Sequence, residues 1–460
     1  MIKKFSNLKV FSWLFLGGIL LFGWLMKFGY FFSDDFTWLW HAQKMHSLQD
    51  ILTFKMASYY SPVMNAFYYI HYHLFYYQTA YYYLSTIIVH VLISFIIFLI
   101  IGKISSQKKL AILGAIFFLI AGSAHEPVMW LAANIHVFAT LFVVLAVYFY
   151  ILFLDNHKLQ YAGLTLIAFV LALCSKEIAF VSFPLIVLTG LYFGLKNKKL
   201  DKTFAHKVLL VLLAVGTIIY ALFEYQWQRH STALSSGYWQ LDLSQFLRWP
   251  VIIVDTLLPF SKLVDFQSRY FFYLASVLLL AILFYYLRKS KLFYFGLLWI
   301  MLASLPTIFA VDKLWMPFAS RYTYLPKIGA VLLLVALLHK LFATWKPKYV
   351  YSLVGLVFAC NVAYFVYVAL SEYPAVYQTG LSLTEVVEEI GQLQATQVFM
   401  VYPFPFKENH AHVVGVFSTL INLPEDKIIL IDPKELESVE SEANSVRVYW
   451  DAKKESYFIK

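Results

Sequence analysis

Eleven apolar stretches, each twelve or more residues long and nearly free of charge, decide what this chain can fold into. They cover Val10–Leu25, Tyr82–Ile101, Leu110–Ala121, Ala132–Leu154, Tyr161–Cys174, Ile178–Leu195, Val208–Phe223, Phe271–Leu287, Leu292–Ala310, Leu325–Leu338 and Tyr349–Leu370. A helix of about 20 apolar residues crosses a hydrocarbon core of roughly 30 Å. Lipid offers no partner to an unpaired backbone amide, so such segments span as helices. The chain is 61% hydrophobic and 13% charged, where a soluble domain carries about 25% charged residues. That balance excludes a water-soluble enzyme, a disordered chain and, despite a net charge of +10, a nucleic-acid-binding module. Cys174 and Cys360 lie far apart in apolar runs, so neither a disulfide framework nor a cysteine metal site is indicated. The expected fold class is an all-α polytopic membrane protein of about eleven transmembrane helices.

Lysine and arginine collect in alternate connections: Met1–Lys4, Gly102–Lys109, Asp155–Lys158, Lys196–Lys207, Arg288–Lys291 and His339–Lys348. Basic short loops stay cytoplasmic, which places the N-terminus inside and, after an odd number of spans, the C-terminus outside. Lys3 and Lys4 before an apolar run also suit a signal peptide, but no small-residue cleavage site follows and the segment reads as a retained helix. Phe246–Leu258 is short and contains Asp255. Counted as a span it would put Arg288–Lys291 outside, so it reads as a helix lying at the outer surface or re-entrant there. Ser61–Tyr77, dense in tyrosine and histidine, reads as an interfacial helix leading into the second span.

Residues 1–370 therefore form a transmembrane body, and residues 371–460 a small extracytoplasmic α/β domain. The latter is expected to hold a polar helix around Glu385, Glu388 and Glu389, strands at Gln397–Tyr402 and Lys427–Ile431, and an apolar stretch at Val413–Leu420. Val446–Trp450 and Ser456–Ile459 read as a terminal hairpin.

Four polar clusters stand at the outer ends of spans, where a charge beside lipid needs a reason. In Ser33-Asp34-Asp35-Phe36, adjacent carboxylates can bind a divalent cation or act as acid and base; they also suit a cap for the helix that follows. In His125-Glu126-Pro127, the proline suits a first helical turn, and the glutamate complements a helix dipole as well as it would serve a site. His125 and, further on, His136 read as ligands or, in preference, as interfacial residues. Ser175-Lys176-Glu177-Ile178 squeezes two charges between apolar runs. They form either a snorkelling ion pair or a site in which Lys176 holds a phosphate arriving from the lipid and Glu177 orients it or another group. In Ser320-Arg321-Tyr322-Thr323-Tyr324, a planar guanidinium flanked by tyrosines suits a phosphate or a sugar ring, or simply sits at headgroup level. The long outer loop adds Trp227, Trp239 and Trp249 with Arg229, His230 and Arg248, whose rings suit sugars or membrane anchoring. Acids, a lysine and an arginine on one side of a membrane suit an enzyme whose lipid-linked phosphate meets a second substrate from outside.

At these four places the chain resembles the GT-C glycosyltransferases that use polyprenyl- or dolichyl-phosphate sugars, most of all the protein O-mannosyltransferases with tetratricopeptide repeats and their bacterial relatives. Glu126-Pro-Val-Met-Trp-Leu-Ala-Ala-Asn-Ile-His136 is similar to that family's Glu-Ala-Val-Ala-Trp segment, followed by small residues and Arg-Ala-Asp. Ser175-Lys-Glu-Ile-Ala-Phe-Val-Ser-Phe-Pro184 resembles its Ser-Lys-Glu motif and following proline, and Arg321-Tyr-Thr-Tyr-Leu-Pro326 its Arg-Tyr-Leu-Tyr-Leu-Pro. Leu258-Pro-Phe-Ser-Lys-Leu-Val-Asp-Phe266 resembles the segment ending its long outer loop. The likeness covers most of residues 1–345. The chain departs from the pattern in having His125 directly before Glu126 in place of His-Pro, Asn134 and His136 in place of Arg and Asp, and a small tail in place of the repeats.

The resemblance implies a GT-C membrane glycosyltransferase moving a hexosyl or pentosyl unit, with inversion, from a polyprenyl-phosphate donor to an extracytoplasmic acceptor: a protein, a lipid or a wall glycan. It makes one of Asp34 and Asp35 the general base, Asp34 in preference. Lys176, Glu177, Arg321 and Tyr322 would hold the donor phosphate. Glu126 and His125 would position the acceptor, and Asp34, Asp35 and Glu126 would share any divalent cation, Mg or Mn. The setting implied is a plasma membrane, or the endoplasmic reticulum in a eukaryote; the lack of an Asn-x-Ser/Thr site favours the bacterial case. The alternatives are a transporter or flippase of lipid-linked sugars, which would bury charge near mid-bilayer, and a non-catalytic accessory protein of the same fold.

Overall fold

The computed structural model describes residues 7–31, 34–54, 60–122, 125–197, 203–228, 243–258, 269–308 and 320–371 of the body. In the tail it describes 378, 381–382, 385–386, 388–390, 392–401, 423, 427–431, 444–451 and 456–459. In chain order the main helices are α1 (Asn7–Phe22), α2 (Asp35–Lys44), α3 (Pro62–Phe75), α4 (Thr79–Ser105), α5 (Lys108–Leu119), α6 (His125–Met129), α7 (Ile135–Asn156) and α8 (Leu159–Leu173). There follow α9 (Ser182–Asn197), α10 (Phe204–Gln228), α11 (Trp249–Leu257), α12 (Arg269–Leu287), α13 (Lys291–Ile308), α14 (Ser320–Thr323), α15 (Lys327–Thr344) and α16 (Pro347–Ser371).

Among the described residues nine helices are long and apolar enough to cross a membrane. The two shorter ones, α5 and α8, have 12 and 15 residues. These eleven helices fall on the eleven apolar stretches one for one. At about 1.5 Å per residue α5 covers only part of a hydrocarbon core, and the chain continues beyond it toward α6. Ser106 and His157, both with φ above +50°, end α4 and α7 in the left-handed conformation that closes tight helical hairpins. Large apolar side chains such as Val211, Ile218, Leu222, Leu278 and Ile282 on α10 and α12 are exposed, the face a bilayer would cover.

The basic connections gather at one end of the bundle. Lys103 pairs with Asp155 at 2.8 Å, Lys196 donates to the Ile104 carbonyl at 2.7 Å, and Lys291 donates to that of Leu195 at 2.5 Å. Gln107 meets His339 at 3.2 Å, and Lys109 lies over the rings of Phe342 and Tyr351. The four clusters of the candidate site occupy the other ends of the same helices.

Close helix crossings hold this body together. A Cβ on Gly329 would stand 2.5 Å from the Gly296 carbonyl oxygen, and one on Gly296 would stand 2.8 Å from that of Gly329, so α13 and α15 touch backbone to backbone. Gly329→Leu should therefore force the pair apart at a cost of about 1–3 kcal/mol; a thermal melt in detergent that matches the unaltered protein would refute the crossing. Fully buried His90 ties three elements, its Nδ1 2.6 Å from the Tyr324 hydroxyl and its Nε2 3.1 Å from the Leu119 carbonyl.

α3 is a helix where Ser61–Tyr77 predicts one. It buries Met64, Phe67, Tyr68 and His71 and exposes Ile70 and Leu74. The ambiguous segment becomes a 3-10 turn at Leu243–Arg248 followed by the nine-residue α11, too short to span. Ile252 to Thr256 are buried there, and Asp255 acts electrostatically on Lys327 at the start of α15.

In the tail, β1 (Gln397–Val401), β2 (Ile428–Ile431), β3 (Ser445–Asp451) and β4 (Ser456–Ile459) form one sheet in the order β2-β1-β3-β4. β1 is central and parallel to both neighbours, with Val398 opposite Ile428 on one side and Val446 on the other. β3 and β4 make the expected antiparallel hairpin, Val448 facing Ile459. The stretch Val413–Leu420 lies outside the described residues.

Candidate active site

The second and fourth clusters meet directly. Glu126, in the first turn of α6, takes the Arg321 guanidinium on Oε1, and on Oε2 it accepts the Arg321 backbone N–H and the Ser320 hydroxyl, both at 3.1 Å. The Glu126 N–H in turn donates to Ser320 Oγ at 3.2 Å. Burial disfavours the Arg321 charge, but the Glu126 carboxylate and Tyr322, through their charge and hydrogen bonds together, outweigh it and hold the guanidinium protonated above its ordinary range. The guanidinium also lies over the rings of Trp130 at 5.2 Å and Tyr322 at 4.9 Å. Glu126 is thus an anchor for Arg321 and not a free helix-dipole partner.

His125 is buried, not interfacial as expected, and is 3% exposed. Its Nδ1 lies in hydrogen-bond contact with the Gly122 carbonyl at 2.6 Å, and its Nε2 lies 3.5 Å from Ser320 Oγ. Asn361 of α16 holds the same corner by accepting the Gly122 N–H at 3.2 Å. His125 therefore supports the Ser320–Arg321 turn.

The two aspartates of the first cluster divide. Asp35 is fully buried and accepts the Ala132 N–H at 2.5 Å. Ala132 belongs to the 3-10 turn Leu131–Asn134 that runs straight into α7, so Asp35 caps the amino end of that span across the fold, where a carboxylate is favoured. Asp34 is exposed; its carbonyl starts α2 by accepting the N–H groups of Thr37 and Trp38, and its side chain makes no capping bond. The capping role that suited this pair thus falls to Asp35, and on a different helix. Buried Tyr68, stacked on Trp38 at 5.1 Å, stands within electrostatic reach of both aspartates. Burial first, and then Asp35, hold its hydroxyl protonated well above the ordinary phenol range.

The third cluster forms an ion pair, Lys176 Nζ to Glu177 Oε1 at 3.2 Å, in which Lys176 is 6% exposed. The Cys174 carbonyl accepts the Val63 N–H at 3.1 Å, which ties this turn to α3 and so to the aspartates. His136 links it to the rest. It is 3% exposed, packs edge-on against Tyr322 at 5.8 Å, and lies within electrostatic reach of both Lys176 and Arg321. Expected at the interface, His136 is instead buried where the second, third and fourth clusters converge.

The fold thus brings together Asp34, Asp35, His125, Glu126, Lys176, Glu177, Arg321 and Tyr322, with each cation facing a carboxylate. Among the described residues no three His, Cys, Asp or Glu side chains stand close enough to hold a metal ion. Asp34, Asp35 and Glu126 do not fit one, since Asp35 is turned to Ala132 and Glu126 to Arg321. Sequence reasoning missed Tyr68, an inconspicuous member of a tyrosine-rich helix, and Glu224, which is buried near the end of α10 and acts with Glu177 on Tyr220. A carboxylate inside an apolar run was the available signal. Of the aromatic loop, Trp227 ends up against Tyr60 at 5.3 Å, and Arg248 is buried and donates to Gln245 at 3.1 Å. Arg229, His230 and Trp239 lie outside the described residues.

No protein-family model matches this chain, and no curated protein sequence matches it. Solved structures do. The oligosaccharyltransferase of Archaeoglobus fulgidus, in its apo form, superposes with a TM-score of 0.53 at 12% identity over 94% of this chain. The chain spans 65% of that protein's length. ArnT from Cupriavidus metallidurans superposes in the apo state with a TM-score of 0.50 at 12% identity, over 97% of this chain and 94% of its own. Bound to undecaprenyl phosphate, ArnT gives 0.50 at 11% identity, over 96% and 93%. Identities this low speak to the path of the chain alone. With nine apolar spans among the described residues and agreement along nearly its whole length, the chain has the GT-C fold that these structures share.

Proposed function

We propose that this protein transfers one sugar from a polyprenyl-phosphate carrier to an acceptor hydroxyl outside the membrane. The observation that carries this reading is the convergence of Lys176 and Arg321 on His136, beside the paired aspartates and at the end of the bundle away from the basic connections. Two cations at a bilayer surface suit the phosphate of a lipid carrier whose tail stays in the membrane. The structure of ArnT with undecaprenyl phosphate supports a donor of that class on this fold.

Asp34, exposed beside a buried Asp35 already engaged with Ala132, is the better placed base. It takes the proton of the acceptor hydroxyl as that oxygen attacks the sugar's anomeric carbon from the face opposite the phosphate. The bond between that carbon and the phosphate oxygen breaks, and its electron pair stays on the phosphate. Lys176 and Arg321 stabilise this growing charge, the effect that most often dominates such steps. In the resting site Glu177 and Glu126 keep the cations in place. Tyr322, stacked under the guanidinium, fixes its plane.

The alternate basic connections support a cytoplasmic N-terminus and an outside tail, in a plasma membrane, or in the endoplasmic reticulum if the protein is eukaryotic. The acceptor is a protein, a lipid or a wall glycan. The test is purified protein offered a panel of polyprenyl-phosphate sugars. Consumption of one of them, with release of polyprenyl phosphate, is expected; if none is consumed in the presence of a matched set of acceptors, the reading fails.

A further inference from the structure

His136 carries an unsatisfied nitrogen. Among the described residues its Nδ1 is buried and has no hydrogen-bond partner. Leaving a buried polar atom unmet costs about 1–3 kcal/mol, so folded proteins keep one chiefly where something else fills the place. Thr140, four residues on and fully buried, lies on the same face of α7, and among the described residues its hydroxyl also has no partner. Helical threonines usually donate to the carbonyl four residues back, as Thr165, Thr189 and Thr217 do here at 2.7–2.8 Å. Thr140 does not. The charges acting on His136 are those of Lys176 and Arg321. Each of these cations is paired with a carboxylate, and a phosphate bound beside His136 would draw on both positive charges.

Building on the transfer reading, we propose that His136 and Thr140 complete the seat of the carrier phosphate. An imidazole N–H and the threonine hydroxyl donate to phosphoryl oxygens whose charge Lys176 and Arg321 neutralise. No proton changes hands; both groups bind and orient.

The test measures binding of a short-chain polyprenyl phosphate, and separately of the polyprenol with the same tail, to the full-length protein in nanodiscs. His136→Leu should weaken phosphate binding by about tenfold or more, the scale of one hydrogen bond to a charged group. His136→Gln, which keeps an N–H donor, should stay within about threefold, and the near-isosteric Thr140→Val should lose roughly three- to tenfold. Polyprenol binding should not change in any of them. Unchanged phosphate binding in both His136→Leu and Thr140→Val overturns the proposal, as does equal weakening for phosphate and alcohol, which would mark a structural role. Should the unaltered protein show no preference for the phosphate over the alcohol, the transfer reading falls and this inference with it.

Discussion

Asp34→Asn should lower sugar transfer by about 10²- to 10⁴-fold, the range over which a positioned general base contributes. It should leave the melting temperature nearly unchanged, because Asp34 is exposed and substitutions at exposed positions usually stay within about 0.5 kcal/mol. Asp35 should behave in the opposite way. Asp35→Asn keeps an oxygen for the Ala132 N–H, while Asp35→Ala strands that amide in a partly buried setting and should cost about 1–3 kcal/mol of stability. Initial rates and detergent melts on the three variants separate the roles. Full activity in Asp34→Asn would remove it as the base.

Arg321→Ala should reduce transfer by about 10²- to 10³-fold, as loss of one preorganised donor to a charged transition state does. It should also destabilise the fold, because the partly buried Glu126 carboxylate loses its counter-charge. Adding Glu126→Gln removes that stranded charge while keeping an oxygen for the Ser320 hydroxyl and the Arg321 N–H. The double variant should therefore regain most of the lost melting temperature and remain inactive. If restoring stability also restored transfer, the arginine would be only a structural tie. Arg321→Lys should fall between these cases, since it keeps the charge but loses the planar fork that stacks between Trp130 and Tyr322.

The membrane body was legible because hydrocarbon imposes a rule on local sequence: a run of apolar residues there has no stable form but a helix. The eleven stretches gave eleven helices, and the strands at Gln397–Val401, Ile428–Ile431 and Ser445–Asp451 fell where alternation and turn residues put them. The parallel pairing of β1 with both β2 and β3 was not legible, since it depends on long crossovers and not on the strands themselves. His125 and His136 were misplaced at the interface because a histidine between apolar residues carries the same local signal whether it faces headgroups or a buried site.

What the sequence by itself determined is which segments enter the membrane, which end of the bundle gathers the basic loops, and that Asp34, Asp35, Glu126, Lys176 and Arg321 lie at span ends away from those loops. Each follows from the transfer free energy of a short window of side chains, a quantity that needs no knowledge of neighbours. Only the tertiary structure decided that Glu126 holds Arg321, that Asp35 caps the Ala132 amide while Asp34 is exposed, and that His136 is buried against Tyr322 within electrostatic reach of two cations. Those outcomes depend on distances between groups far apart in the chain, and helix packing fixes such distances through backbone contacts like that of Gly296 with Gly329, which no local pattern encodes.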